Sequence, residues 1–452
     1  MAQPTYARMR AAHLAAVQAA LVDHVARLGF SRSQIEEYQT HRLRALLGYA
    51  AARSPFHARR LRTLDTPRAT IADLASVPMM TKHDAQQNWD NIITAPGLDR
   101  AGAERVLAQQ QWFSYTGEHQ IFSSGGSSGI RGVYVWDWDF YISATCLAWR
   151  MQAREEQRRQ VRPARLAVLS AGVPPHASTP LFDVPTTPTM QTVVIAAGAP
   201  FHDVLAAVAA AQPTHLVGYP TVIGRLARAA IAGDLQIAPV RVSTNSEPLL
   251  DEDRGAIAEA WDAVIHNLWG STEIGVQAVG CGQGEGLHVC EDEVILERVD
   301  EGGAPVDPDQ PAARTLATGL ANRTFPFIRY DLGDQVVPLP GNCACGSAFA
   351  RVADIGGRRD DDFRYGDVTV PPIAFRHVLG TDPDVSEYQV TQTATGADIL
   401  IVGTPDPEAL TADLADALRR YGLAQPNVGI TLCDKLNRHQ ASGKLRRFIP
   451  LA

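Results

Sequence analysis

Near the carboxyl end of the sequence stands Ala441-Ser442-Gly443-Lys444-Leu445-Arg446-Arg447-Phe448, and Lys444 is the residue in it best suited to chemistry. The chain has 41 basic residues, of which only Lys82, Lys435 and Lys444 are lysines. A lysine kept in so arginine-biased a chain is a candidate for a role that a guanidinium fills poorly. Its ammonium is a compact charge on a flexible stem, able to reach a phosphate or carboxylate oxygen as a point donor. Gly443 lets the backbone beside it approach a ligand closely. Taken alone, the same tripeptide also reads as an exposed tail.

Three further groups of residues could handle a nucleotide. Ser123-Ser124-Gly125-Gly126-Ser127-Ser128-Gly129 can wrap backbone N–H groups and hydroxyls around phosphate oxygens, although no Gly-Lys-Ser/Thr follows to make it a Walker loop. In Trp269-Gly270-Ser271-Thr272-Glu273, Thr272 can bond a phosphate and Glu273 can hold a hard cation such as Mg²⁺. In Arg329-Tyr330-Asp331-Leu332-Gly333-Asp334, the carboxylate of Asp334 can accept hydrogen bonds from a ribose diol. Singly, these also read as a flexible turn, a capped helix N-terminus and an ordinary Gly-Asp turn.

Cysteine suggests a fourth constellation. Cys281, His288, Cys343 and Cys345 would satisfy tetrahedral zinc, with Cys290 a competing ligand. Buried free thiols are the alternative. Six cysteines in 452 residues do not make a disulfide scaffold.

The elements that must position these residues follow from periodicity. Residues 1–100 read as a helical segment, with one helix from Ala11 to Leu28 and a second capped by Ser33 and running to Ala51. From 120 to 275 strands alternate with amphipathic helices. The strands are 165–170, 192–195, 215–219, 240–243 and 263–266; the helices are 201–211, 221–232 and 251–262. That alternation predicts a parallel sheet flanked by helices, with ligands beyond the carboxyl ends of its strands. Short strand-like pieces over 285–355 suggest a β-rich subdomain. The expected architecture is α/β: a large N-terminal domain over 1–358 and a small α+β C-terminal lid over 359–452.

Length exceeds what a single core usually supports, consistent with two domains. A formal net charge of -8 argues against a nucleic-acid binder. No apolar run approaches the ~18 residues of a membrane span. The first residues lack a basic stretch followed by an apolar one, so the expected location is cytoplasmic.

The order of these motifs, with Gly357-Arg358-Arg359-Asp360-Asp361 between the third group and the tail, resembles the adenylate-forming superfamily of acyl- and aryl-CoA synthetases, luciferases and adenylation domains. Val77-Pro78-Met79-Met80-Thr81-Lys82, Phe327-Ile328-Arg329-Tyr330 and the Cys-x-Cys at 343 and 345 resemble its phenylacetate-CoA ligase branch. The resemblance implies an enzyme using ATP, Mg²⁺ and coenzyme A on a small, aromatic carboxylic acid, with structural zinc. It implies catalytic roles for Lys444, Thr272 and Glu273. Nucleotide contacts would come from Ser124–Gly129, Ser246-Glu247-Pro248, Trp269, Gly270, Ser271, Asp334 and Arg358. Asp360 would be the hinge of a rotating lid, and Gly366 would line the thiol tunnel. Tyr219, His215 and His266 are expected walls of the acid pocket.

Four departures from the family pattern stand out: Ile130-Arg131-Gly132 after the phosphate loop, Ser246 for the usual Gly, Trp269 for the usual Tyr, and Asp331 for the usual basic residue. The implied reaction is attack of a carboxylate on the α-phosphorus of ATP, expelling pyrophosphate, then attack of a thiol on the acyl carbon of the acyl-adenylate, releasing AMP. The alternative acceptors are a carrier-protein thiol or a nitrogen nucleophile, and a different class altogether is a non-catalytic nucleotide or zinc scaffold. A homodimer through the helical N-terminal region is a further expectation.

Overall fold

A computed structural model describes residues 6–109, 116, 118–124, 131–159, 165–170, 176–177, 181–182, 190–307, 310–357, 361–380, 382, 384–438 and 444–451. Gly125, Gly126, Ser127, Ser128 and Gly129 of the phosphate loop, Arg358 and the hinge residue Asp360 lie outside the described residues.

The chain opens with helices α1 (Tyr6–Arg27), α2 (Arg32–Arg53), α3 (Pro55–Arg60), α4 (Lys82–Gln87), α5 (Trp89–Ile92) and α6 (Arg100–Ala108). Ser31, not Ser33, caps α2. It forms a capping box with Gln34, whose side chain returns to the Ser31 backbone. Ser33 stands two residues too late and hydrogen-bonds only the Ser31 hydroxyl.

Strands β1 (His119–Ser124) and β2 (Gly132–Asp137) pair antiparallel on either side of the Gly/Ser loop, and α7 (Trp138–Arg159) follows. Strands β3 (Arg165–Ser170), β4 (Gln191–Ala196), β5 (His215–Gly218), β6 (Arg241–Asn245) and β7 (Val264–Ser271) then run parallel, in the order β4-β3-β5-β6-β7. Side chains alternate faces along each strand. Leu166, Val168 and Val217 enter one core with α1 and α7, while Ala167, Leu169 and Leu216 enter another with helices Pro220–Ile231 and Asp251–Ala260. A sheet covered on both faces explains the near-continuous apolar runs of β3 and β5.

After β7 the chain turns back instead of crossing over. Strand β8 (Gly275–Val279) pairs antiparallel with β7, followed by β9 (Leu287–Val289). The 285–355 stretch, expected as one β-rich subdomain, is therefore divided. β9, with the later β13 (Pro338–Leu339) and β14 (Arg351–Val352), completes a nine-stranded sheet, whereas β10 (Val294–Val299), β11 (Arg314–Gly319) and β12 (Tyr330–Asp331) form a separate three-stranded one. The tight turn between β7 and β8 leaves no room for a crossover helix, so the following strands extend the main sheet antiparallel.

Beyond residue 360 a hairpin of β15 (Phe363–Tyr365) and β16 (Val368–Val370) leads into a second α+β unit. Its sheet has the order β19-β18-β17-β20, from β17 (Val385–Gln392), β18 (Gly396–Gly403), β19 (Asn427–Leu432) and β20 (Phe448–Ile449). Helices Ile373–Leu379 and Pro407–Arg420 cover it, and its core of Phe363, Phe375, Tyr388, Ile399, Leu414 and Phe448 is separate from those of the large sheet. Among the described residues no helix is long and apolar enough to cross a membrane.

A buried ionic cluster ties the N-terminal helices to the β9–β10 turn. Arg150 on α7 donates to both oxygens of Asp292, at 2.6 and 2.9 Å. Arg27 and Arg42 donate to Glu293 at 3.0 and 2.6 Å. Burial alone would raise the Asp292 carboxyl, yet the Arg150 guanidinium holds it below its ordinary range. Removing one partner of such a pair strands a charge in the interior. Arg150→Ala is therefore expected to destabilise the protein by about 3–5 kcal/mol in urea unfolding, with part regained in Arg150→Ala/Asp292→Asn. A shift below about 1 kcal/mol would show that the pair does not hold this junction.

Candidate active site

The motifs scattered along the sequence meet at the carboxyl ends of β5, β6 and β7. Tyr219 follows β5, Ser246-Glu247-Pro248 follow β6, and Trp269, Gly270 and Ser271 end β7, with Thr272 and Glu273 in the hairpin turn beyond it. The turn before β8 excludes the reading of this segment as a capped helix. It is closed by Ser271, whose hydroxyl accepts from the Ile274 N–H at 3.2 Å and from Gln277 Nε2 at 3.3 Å.

Glu273 is buried, and its Oε1 accepts two phenol hydrogen bonds, from Tyr134 on β2 at 2.6 Å and from Tyr330 on β12 at 3.0 Å. Trp136, two residues along β2, donates its indole N–H to the Thr272 carbonyl at 2.9 Å. Gly132 is needed here for space: a Cβ on it would lie 2.2 Å from the Tyr134 hydroxyl. Asp334 accepts the Trp269 indole N–H at 2.8 Å. The Trp that replaces the usual Tyr thus aligns the carboxylate expected to grip a ribose.

Ser246 has φ +68°, a left-handed conformation costly for a residue with a Cβ. A glycine is the usual occupant of such a backbone, so the conformation fits the expected Gly and nothing in the structure explains the Ser. The Glu247 carboxylate faces neighbouring protein groups: Oε2 accepts from the Thr221 hydroxyl at 2.7 Å and Oε1 from the Leu445 N–H at 3.0 Å. Lys444 is half-buried, with its ammonium 5.7 Å from the centroid of the Tyr219 ring, over the carboxyl end of β5.

Lys82, given no role from the sequence, stands at the edge of the phosphate loop and donates to Ser124 Oγ at 3.3 Å. Its rarity as a lysine was the available signal. Arg131, just past that loop, is committed to Glu104 at 2.7 Å, and Asp331 to Arg314 at 2.7 Å. Arg329, also at positive φ, is a buried staple to the carbonyls of Val77 and Gly303.

Of the expected pocket walls, His215 is misplaced. It starts β5, at the opposite end of the strand from Tyr219, and burial lowers its pKa to about 3. A buried imidazole beside Glu156 and Thr214 at that end serves the core. His266 lies mid-strand, its Nδ1 at 2.8 Å from the Gly280 carbonyl and its Nε2 at 2.7 Å from Arg241. It borders a gap between α7 and the sheet, beside Trp149, Gln152, Phe182, Ser243 and Leu268, that has room for about one water and not for an acid. Gly366 occupies the β15–β16 turn at φ +63°, with open space where a Cβ would stand.

Cys281, His288, Cys343 and Cys345 converge, all buried, with ligand atoms within 4.8 Å of one another. The Cys281 and Cys343 sulfurs are 3.5 Å apart, and Cys345 Sγ lies 3.4 Å from His288 Nε2. Those spacings suit edges of a tetrahedron around zinc at Zn–S ≈ 2.3 Å. Phe349 O lies 3.4 Å from His288 Nδ1, as an outer partner that would fix the imidazole. The Cys281 thiol and His288 hold Cys345 well below the ordinary thiol range. Cys290 is not in the cluster; burial pushes its thiol up to about 12.

No protein-family model matches the chain. A phenylacetate-coenzyme A ligase of Thermus thermophilus is 29% identical over 234 residues, 46% of this chain and 52% of that protein. Protein CapK of Staphylococcus aureus is 22% identical over 308 residues, 66% of this chain and 62% of its own length. The chain thus spans about half to three fifths of the length of the curated relatives it matches. Among solved structures, 2-hydroxyisobutyryl-CoA ligase with 2-HIB-AMP in the postadenylation state has a TM-score of 0.73 at 16% identity, over 94% of this chain and 91% of that one. The same ligase in the thioesterification state, with 2-HIB-AMP and CoA, scores 0.60. Anthranilate CoA ligase with anthranoyl-AMP scores 0.50 at 18% identity, over 72% and 65%. The fold is that of these ligases, and the resemblance to phenylacetate-CoA ligases read from the motifs is borne out.

If the Cys/His cluster holds zinc, metal analysis of the purified protein should find about one zinc per chain. Cys345→Ser should lose most of it and melt at lower temperature, because metal affinity is folding free energy at a closed site. Cys290→Ser should keep the metal. Full zinc content in Cys345→Ser would remove the assignment.

Proposed function

We propose that this chain, which shares its fold with adenylate-forming acid–CoA ligases, activates a small carboxylic acid with ATP as an acyl-adenylate and transfers it to coenzyme A. The observation that carries the proposal is convergence at the carboxyl end of one parallel sheet. A tail lysine, the Thr272-Glu273 turn, the Trp269–Asp334 pair and the Lys82–Ser124 contact come from segments far apart in sequence.

The substrate carboxylate is already ionised at pH 7, so the first half-reaction needs no enzyme nucleophile. Its barrier lies in bringing two anions together and offsetting charge at phosphorus, which is work for fixed donors. Lys444 supplies the cation between carboxylate and α-phosphate. Lys82, Thr272 and the loop after Ser124 bind phosphate oxygens, and Asp334 binds the ribose. Glu273 is suited to Mg²⁺: two phenols fix one oxygen, and among the described residues the other takes no hydrogen bond. Bound there, the ion would neutralise phosphate charge. In the second half-reaction the C-terminal unit swings about Asp360, taking Lys444 away and bringing Gly366 to the path of the thiol.

ATP–pyrophosphate exchange over a panel of small aromatic and aliphatic acids tests the activity. Exchange is expected only with cognate acids, and none with any acid would defeat the proposal. Lys444→Ala should slow exchange by about 10²–10³-fold, as loss of one charge-stabilising donor does, with ATP affinity nearly kept. Trp269→Phe should instead weaken ATP binding several-fold by releasing Asp334, read as a higher KM for ATP.

A further inference from the structure

We propose that Glu247, Thr221 and Arg438 form a latch that seats Lys444 for the first half-reaction, a positioning role that rests on the adenylating activity proposed above. The latch is a continuous relay of hydrogen bonds between the large sheet and the C-terminal unit. Arg438 Nη1 donates to the Thr221 hydroxyl at 3.0 Å, and that hydroxyl donates to Glu247 Oε2 at 2.7 Å. Glu247 Oε1 accepts the N–H of Leu445, the residue after Lys444, at 3.0 Å. On the other side Arg438 pairs with Glu387, which stands 3.5 Å from Arg225.

Membership decides what the relay does. Thr221 and Arg225 lie on helix Pro220–Ile231, and Glu247 follows β6; Glu387 is on β17, and Arg438 and Leu445 precede β20. The Arg438–Thr221, Glu387–Arg225 and Glu247–Leu445 contacts all cross between the two units, so separating the units breaks all three. The Glu387 and Arg438 side chains keep only 5% and 13% of their exposure, so these bonds are poorly screened by solvent. The Glu247–Leu445 bond fixes the backbone next to the lysine, giving its flexible stem a set origin above Tyr219. None of these groups needs to touch a reacting atom. They bias the docked arrangement, and only the half-reaction that uses Lys444 benefits.

The test separates the two half-reactions in the full-length chain. Adenylation is followed by ATP–pyrophosphate exchange, and thioester formation by adding coenzyme A to chemically prepared acyl-adenylate. Arg438→Ala should lower exchange about tenfold or more while thioester formation stays within about twofold, because a lost charge-assisted bond shifts the docking equilibrium by that order. Glu247→Ala should lower exchange likewise, and Glu247→Gln, which keeps an oxygen for the Leu445 N–H, should recover part of it. Amide hydrogen exchange of residues 444–449 should rise in Arg438→Ala and Glu247→Ala, with the rest of the chain unchanged. An equal loss in both half-reactions for Arg438→Ala, or unchanged amide exchange in both alanine variants, would overturn the latch. Faster amide exchange in the variants of a wild type that activates no acid would support the latch as a docking contact and defeat the adenylating activity.

Discussion

One carboxylate holds the candidate site together. Glu273 sits in the β7–β8 turn of the nine-stranded sheet, and its Oε1 accepts from Tyr134 in the β1–β2 hairpin and Tyr330 in the three-stranded sheet. Three separate sheets are thus indexed to a single oxygen atom. Burying an ionised carboxylate is costly unless it is hydrogen-bonded, and two phenols meet that need without adding charge. Trp136 on the Thr272 carbonyl and Trp269 on Asp334 extend the arrangement on either side. Aromatic side chains are well fitted to such anchoring, because their apolar bodies fill the core while their one polar atom is aimed at the turn.

Charge elsewhere is spent on joints. The Arg150–Asp292 and Arg27–Glu293 pairs bind α7 and α1 to the β9–β10 turn. Arg329 staples the 75–77 segment to the β10–β11 region through carbonyls. Arg447, stacked 4.6 Å from the Tyr388 ring, meets Glu252 at 3.2 Å across the boundary with the C-terminal unit. The abundant guanidiniums reach several acceptors at once, as their planar fork allows, while Lys82 and Lys444 are kept for the mouth of the sheet.

Much of this was legible in the sequence because it is local. The β-branched runs and amphipathic helices between 165 and 271 fall where periodicity puts them, and Phe201–Ala211 is a helix over the expected residues. The order of the motifs indicated one site. Long-range choices were not legible. Tyr134 finds Glu273 across 139 residues, and nothing in the alternation of β2 names its partner. His215 sits beside Tyr219 in sequence but at the other end of a strand, because four residues of extended chain span the sheet's depth. The division of 285–355 between two sheets hinges on one turn, Thr272 to Ile274, that could equally have begun a helix.

That the mouth is built from pieces of several separate folding elements has a bearing on how the protein would respond to occupancy. A nucleotide lying there would touch the hairpin after Ser124, the ends of the parallel strands, the Asp334 loop and the tail together. It would add a further joint between blocks that already share an apolar core, and between them and a tail held by hydrogen bonds and ion pairs. Resistance to heat should accordingly climb with nucleotide concentration across the entire chain, tail included, since a ligand bound only by the assembled state stabilises every part on which that assembly depends.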